Sequence, residues 1–158
     1  MSVTTGIGWD VHRLAEGRDL VLGGVRIEHD RGLEGHSDAD VLTHAVIDAL
    51  LGAAGLGDIG EHFPDSDEAY RGADSLALLR DVVALLGARE VLHVDVSVLM
   101  ERPRLAPHKD AIRDNLALAL GITPGHVNVK ATTGERLGFV GREEGIAALA
   151  IATLRAPD

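Results

Sequence analysis

Gly35-His36-Ser37-Asp38-Ala39-Asp40-Val41-Leu42-Thr43-His44 is the stretch on which the reading of this chain turns, together with Asp10-Val11-His12 upstream. Ser37, with Asp40 three residues later, has the form of a capping box. The spacing therefore predicts a helix opening at Ser37 and running to about Ala54. Leu42, Ala45, Val46, Ala49, Leu50 and Ala53 recur at helical spacing and form its core face. Asp40, His44 and Asp48 are four residues apart and share a different, polar face, onto which Ser37 also falls. Gly6 to His12 reads as a strand, with Trp9 and Val11 on one side and Gly8, Asp10 and His12 on the other. Residues i and i+2 of a strand lie roughly 6.5–7 Å apart, so the Asp10 carboxylate and His12 imidazole are able to converge on one ion. Asp10, His12 and His44 are thus a candidate three-ligand metal site with an open position. Each also has an ordinary reading: Asp-x-His as a solvent-facing strand end, and His44 as part of a solvated acidic helix face.

Leu20–Leu22, Gly23-Gly24 and Val25–Ile27 carry a hairpin signal with a two-glycine turn. Gly55 to Asp67 reads as a long loop closed by Phe63-Pro64-Asp65-Ser66-Asp67, and long loops are often functional. Helices are predicted from about Asp74 to Leu86 and from about Pro107 to Leu120. Strands are predicted over Val91–Met100, Val127–Thr132 and Ile146–Leu154. Strand, hairpin, helix, helix, strand, helix, strand, strand, in one domain over residues 1–158, gives an α/β sandwich with helices on one face of a mixed sheet. Asp95, Ser97, Asn128 and Lys130 are expected on the other face, against solvent or a wet subunit interface.

Composition narrows the chemistry. With 25 acidic against 15 basic residues the net charge is −10, which argues against nucleic acid as a partner, and aromatics at 3% leave few stacking platforms. Without cysteine there is neither a disulfide nor a thiolate ligand, so a metal must be held by His, Asp or Glu; zinc, manganese and magnesium are the main candidates. No apolar run approaches the roughly 20 residues of a membrane helix, and the N-terminus lacks the pattern of a signal peptide. A cytoplasmic protein without a membrane partner is expected. An acidic chain that binds a phosphorylated small molecule needs a metal or a few placed cations to offset its own field.

Ser37 is explained as the helix cap, and His36 just ahead of it sits where backbone amides point at an anion, either facing a phosphate or simply exposed. Asp58-Ile59-Gly60 and Phe63–Asp67 offer carboxylates to substrate hydroxyls, although turns use the same residues. Thr132, Thr133 and neighbouring amides are suited to a phosphate, and Glu135 to a second hard cation. The P-loop order of glycines and lysine is missing.

Taken together, Asp10-Val11-His12, Gly35-His36-Ser37-Asp38, Asp58-Ile59-Gly60, Phe63-Pro64-Asp65, Pro107-His108, Asn128-Val129-Lys130-Ala131-Thr132-Thr133 and Leu137-Gly138-Phe139-x-Gly141-Arg142 resemble the 2-C-methyl-D-erythritol 2,4-cyclodiphosphate synthases. The match runs in one unbroken order from about Gly6 to the last strand. The resemblance implies a ferredoxin-like α/β (α+β) subunit in a homotrimer, with active sites between neighbouring chains. It implies zinc on Asp10, His12 and His44, and magnesium or manganese on the substrate diphosphate with help from Glu135. His36 and Thr133 become the catalytic pair that aligns the reacting phosphates, with Asp10, His12 and Ser37 also against the substrate. Asp58, Ile59, Gly60, Phe63, Pro64, Asp65, Ser66 and Asp67 would hold the methylerythritol part. Met100, Glu101, Arg102, Pro103, Arg104, Leu105 and Ala106, with Thr132, Thr133, Gly134 and Glu135 of the adjoining chain, would hold the CMP part. Phe139 and Arg142 match positions lining an axial cavity for isoprenoid diphosphates.

Five positions depart from the family pattern: Ala39 and Glu143 stand for Gly, Arg104 for Lys, Ser66 for Thr, and Gly134 for the third Thr of a Thr-Thr-Thr-Glu run. The implied reaction is an intramolecular phosphoryl transfer of the non-mevalonate isoprenoid pathway. The 2-phosphate of 4-diphosphocytidyl-2-C-methyl-D-erythritol 2-phosphate attacks the β-phosphorus, and CMP leaves. A metal-dependent phosphohydrolase and a non-catalytic trimer binding isoprenoid diphosphates are the alternative readings. The chain is expected to act without the nucleotidyltransferase domain fused to some relatives.

Overall fold

The computed structural model describes residues 2–157. Strand β1 (Ser2–Ala15) pairs antiparallel with β7 (Gly145–Ala156) from Ser2 opposite Ala156 to Arg13 opposite Gly145. β7 pairs antiparallel on its other side with β5 (Glu90–Leu99), which runs parallel to β6 (Val127–Thr132). A two-residue strand, β4 (Gly32–Leu33), extends the other edge, giving the order β4-β1-β7-β5-β6. The sheet is mixed, as expected. Val94, Val96 and Val98 of β5 alternate inward and are fully buried, as are Ala148 and Ala152 of β7.

Helix α1 (Val41–Ala54) lies across β1, β7 and β5. Helix α4 (Lys109–Leu120) packs on β6, and α3 (Ser75–Leu85) lies against both helices. The approach of α1 to β1 is close because β1 presents glycine there. A methyl added at Gly8 would meet the Ala45 carbonyl oxygen at 1.8 Å, and one at Gly6 the Ala49 oxygen at 2.1 Å. With the sheet beneath and α3 beside it, α1 is buried around most of its circumference. On the opposite sheet face, over β5 and β6, Asp95 bonds Lys130 and Asn128. Over β1 and β7, Ile7, Trp9, Val11, Leu149 and Ile151 stand exposed, Ile7 opposite Ile151 and Trp9 opposite Leu149. The expected polar face is therefore half apolar.

Helix α1 is capped three residues later than the capping-box spacing predicts. Ala39 takes a left-handed φ of 56°, which interrupts any helix begun at Ser37, and Asp40 is the cap. The fully buried Asp40 carboxylate accepts from the amide and hydroxyl of Thr43. It also accepts from the amides of Gly23 and Gly24. Those glycines, at φ 56° and 72°, form the turn between β2 (Leu20–Leu22) and β3 (Val25–Ile27). One carboxylate thus starts the helix and ties down the hairpin. Burial pushes its pKa up, against the pull of those donors. Ser37 falls in the preceding turn, so His36 does not stand at a helix N-terminus. The Gly55–Asp67 stretch is likewise not all loop: α2 (Ile59–His62) is capped by Asp58, and its Ile59 amide donates to Asp48 at 2.8 Å.

Candidate active site

Alternation along β1 turns Asp10 and His12 toward α1, and the Gly8 contact brings His44 down to them. Asp10 Oδ2 lies 2.9 Å from His12 Nε2 and 3.1 Å from His44 Nδ1, and the two nitrogens are 3.3 Å apart. A tetrahedral zinc with bonds of roughly 2.0–2.1 Å spaces its ligand atoms by about 3.3 Å. The donor set fits such an ion.

Both imidazoles are oriented from behind. His12 Nδ1 donates to the Glu34 carbonyl at 2.8 Å, which leaves the Nε2 lone pair facing the cluster. His44 Nε2 lies 2.8 Å from Ser75 Oγ and 3.2 Å from Ser37 Oγ. Ser75 Oγ donates to the Asp38 carboxylate, an acceptor only, so it accepts a hydrogen bond from His44 Nε2–H, which leaves the Nδ1 lone pair inward. Two imidazole lone pairs and a carboxylate thus converge on one point, an arrangement that calls for a cation. Where an imidazole is protonated it turns an N–H to that point instead, and Asp10 accepts it. Burial disfavours the charged Asp10, but hydrogen bonds and charge from His12 and His44 outweigh it and hold its pKa at about 2. Burial also opposes charging of His12, and Asp10 beside it raises its pKa nonetheless.

The cluster forms one wall of a cleft of about 470 Å³ that is also lined by His36, Ser37, Ile59, Gly60, Phe63, Pro64 and Asp65. The loop over it is fastened by Arg18, whose guanidinium donates to the carbonyls of Leu33, Gly35 and Ser37. His36 Nε2 donates to the Asp67 carbonyl at 2.9 Å, fixing the ring. Ser37 Oγ accepts from the Ala39 amide at 3.2 Å. Asp58, Ser66 and Asp67 do not line the cleft; Asp58 and Asp67 spend their carboxylates as helix caps.

The remaining expected residues stand elsewhere on the chain. Met100, Glu101, Pro103, Arg104, Leu105 and Ala106 face Thr132, Thr133 and Glu135 across a second cleft of about 360 Å³. Thr133 Oγ accepts from the Glu135 amide. Glu135 and Arg136 both have left-handed φ, 53° and 61°, and Glu101 holds them by accepting from the amides of Gly134 at 2.8 Å and Arg136 at 3.1 Å. Arg102 turns away to Glu143. Phe139, on α5 (Gly138–Gly141), lines a third hollow of about 290 Å³ with Trp9, Val11 and Arg13, and Arg142 pairs with Glu144 at its rim. Within one chain, then, the Asp10 cluster and the Thr133–Glu135 loop occupy separate clefts.

Four residues of this machinery, Arg18, Asp38, Ser75 and Glu101, act through others, and sequence reading gave none of them that part. Their signals are ordinary ones: Asp74-Ser75 reads as a helix start and Asp38 as a turn residue.

A family model described as the YgbB family matches residues 3–155. The 2-C-methyl-D-erythritol 2,4-cyclodiphosphate synthase of Laribacter hongkongensis is 57% identical over 98% of this chain and 97% of its own. The bifunctional IspDF from Campylobacter jejuni aligns with a TM-score of 0.95 at 44% identity, covering 99% of this chain and 43% of that larger one. The IspF of Plasmodium falciparum, solved as a CDP complex, aligns with a TM-score of 0.86 at 30% identity over 99% of this chain and 98% of its own.

Proposed function

The chain belongs to the YgbB family, and we propose that it catalyses the cyclising phosphoryl transfer implied by its sequence motifs. It converts 4-diphosphocytidyl-2-C-methyl-D-erythritol 2-phosphate to the 2,4-cyclodiphosphate and CMP, in the non-mevalonate isoprenoid pathway. The observation that carries the metal-dependent form of this reading is the convergence of Asp10 Oδ2, His12 Nε2 and His44 Nδ1 within 3.3 Å of one another at the wall of a cleft.

An oxygen of the 2-phosphate attacks the β-phosphorus, the bond from that phosphorus to the α–β bridging oxygen breaks, and CMP departs. No protein nucleophile is needed, so the protein's task is positioning and charge stabilisation. Divalent ions, zinc on Asp10, His12 and His44 and magnesium or manganese with Glu135, supply positive charge to the phosphate oxygens when bound. The His36 ring, fixed through Asp67, and the Ser37 hydroxyl line the cleft beside the cluster and orient the phosphate. Ile59, Gly60 and the Phe63–Asp65 wall enclose the methylerythritol carbons. Thr133 and the loop held by Glu101 receive the nucleotide side.

A homotrimer of ferredoxin-like subunits accounts for the division of these residues between two clefts, the Asp10 cleft of one chain facing the Thr133–Glu135 cleft of the next. The exposed Ile7, Trp9, Val11, Leu149 and Ile151 support burial of that sheet face between subunits, with Phe139 toward an axial hollow open to an isoprenoid diphosphate. A cytoplasmic location belongs to the same proposal; among the described residues no helix is long and apolar enough to cross a membrane.

Phosphorus NMR of purified protein with substrate and Mg²⁺ tests the reaction. Equal growth of CMP and cyclic diphosphate is expected. CMP with an open-chain product would establish the phosphohydrolase instead, and binding without turnover the non-catalytic trimer.

A further inference from the structure

We infer that Asp38 and Ser75 form a relay that selects the metal-binding tautomer of His44, and that both are positioning residues for the metal. The inference rests on the Asp10–His12–His44 metal reading. His44 has two ways to satisfy its ring. With the proton on Nδ1 it would donate to Asp10 Oδ2, 3.1 Å away, and the cluster would close on itself as an ordinary Asp–His hydrogen bond. With the proton on Nε2 it leaves Nδ1 free to bind a cation. The choice is made on the far side of the ring. Ser75 is fully buried and its Oγ stands 2.8 Å from Nε2. A hydroxyl there is able either to donate or to accept, and Asp38 decides which. The Asp38 carboxylate accepts the Ser75 hydroxyl hydrogen bond, and it also accepts from the Ser75 amide at 3.0 Å and the Asp40 amide at 3.1 Å. With its proton committed to a carboxylate that has none to return, Ser75 Oγ is left as an acceptor, and the Nε2–H tautomer follows. Ser37 Oγ, at 3.2 Å from Nε2, is a more distant second contact.

The relay also explains where α3 begins. Asp74 caps that helix through the Leu76 amide, and the Asp38–Ser75 bonds pin its first turn behind the α1 histidine. Removing Asp38 should therefore damage the site without touching the ring. In Asp38→Ala the Ser75 hydroxyl loses its carboxylate and turns to donate to Nε2, which drives the proton to Nδ1, the atom the metal needs. In Ser75→Ala the bias is merely lost.

Nitrogen-15 NMR of the histidine rings in metal-free wild-type protein, at a pH where His44 is neutral, reads the tautomer directly. Competition against a chromophoric chelator reads Zn²⁺ affinity. Expected are Nε2–H for His44 in the wild type, a shift toward Nδ1–H in Asp38→Ala, and Zn²⁺ binding about 10- to 100-fold weaker in both variants. An Nδ1–H tautomer in the wild type overturns the inference, whatever the variants do. Wild-type Zn²⁺ affinity in both variants overturns it alone, whereas equal affinity of wild type and His12→Ala would overturn the metal reading beneath it.

Discussion

A methyl group added at Gly8 would stand 1.8 Å from the Ala45 carbonyl oxygen and 2.8 Å from both the Ala45 carbonyl carbon and the Ala49 amide nitrogen. All three obstacles are backbone, so no side chain is able to swing away. To restore ordinary contact, α1 must lift from β1 by about 1.6 Å at Ala45. His44 is the adjacent residue, while Asp10 and His12 stay with β1. Metal sites tolerate deviations of about 0.2 Å, so a displacement several times larger separates the third ligand from the other two. Gly8→Ala is therefore expected to weaken Zn²⁺ binding by at least about 100-fold. It should also lower unfolding free energy by about 1–3 kcal/mol or more through overpacking. Chelator competition measures the first and urea unfolding of metal-free protein the second. A Gly8→Ala protein with wild-type Zn²⁺ affinity and stability within about 0.5 kcal/mol would refute the reasoning that close β1–α1 approach assembles the site.

Asp40→Ala removes a helix cap and leaves the buried Gly23 amide without its acceptor, and is expected to cost at least about 2 kcal/mol in urea unfolding. Glu101→Gln loses one acceptor oxygen under the Gly134–Arg136 turn; turnover should fall about tenfold, with an unchanged circular dichroism spectrum. At Asp95, burial opposes the charge, but bonds from Lys130 and Asn128 outweigh it and hold the carboxyl below the usual range. Its stabilising contribution is therefore present above the unfolded carboxylate value of about 3.9 and lost as pH falls through the lower folded value. Asp95→Asn should destabilise the protein at neutral pH and show a smaller further loss below about pH 4, measured by thermal melts across that range.

The Asp10–His12 half of the site was legible because strand alternation is a period-two rule that depends on nothing distant. His44 was legible as an off-core position of α1, but its burial was not, since α3 covers that face through contacts far apart in sequence. The helix start was misplaced for a local reason. Ser37-x-x-Asp40 satisfies the capping-box pattern, yet Ala39 occupies a left-handed conformation that only the folded loop discloses. Glu143, also at positive φ, is the other position where the family pattern has glycine, so the two departures mark backbone geometry as well as composition. Arg18, Glu101 and Ser75 could not be singled out from spacing, because each serves backbone or a side chain contributed by another part of the chain. The separation of Glu135 from the Asp10 cluster within one chain was expressed in the sequence only through the family resemblance, which implied sites shared between chains.

The central claim is that Asp10, His12 and His44 hold the ion on which the cyclising transfer depends. Titration of Zn²⁺ into metal-stripped protein, with substrate and Mg²⁺ present and cyclic product followed by phosphorus NMR, tests it most directly. Product formation should rise in proportion to bound zinc, saturate at one zinc per chain, and be absent in His12→Ala at the same zinc concentration. Full turnover by the stripped protein, or by His12→Ala, would contradict the account.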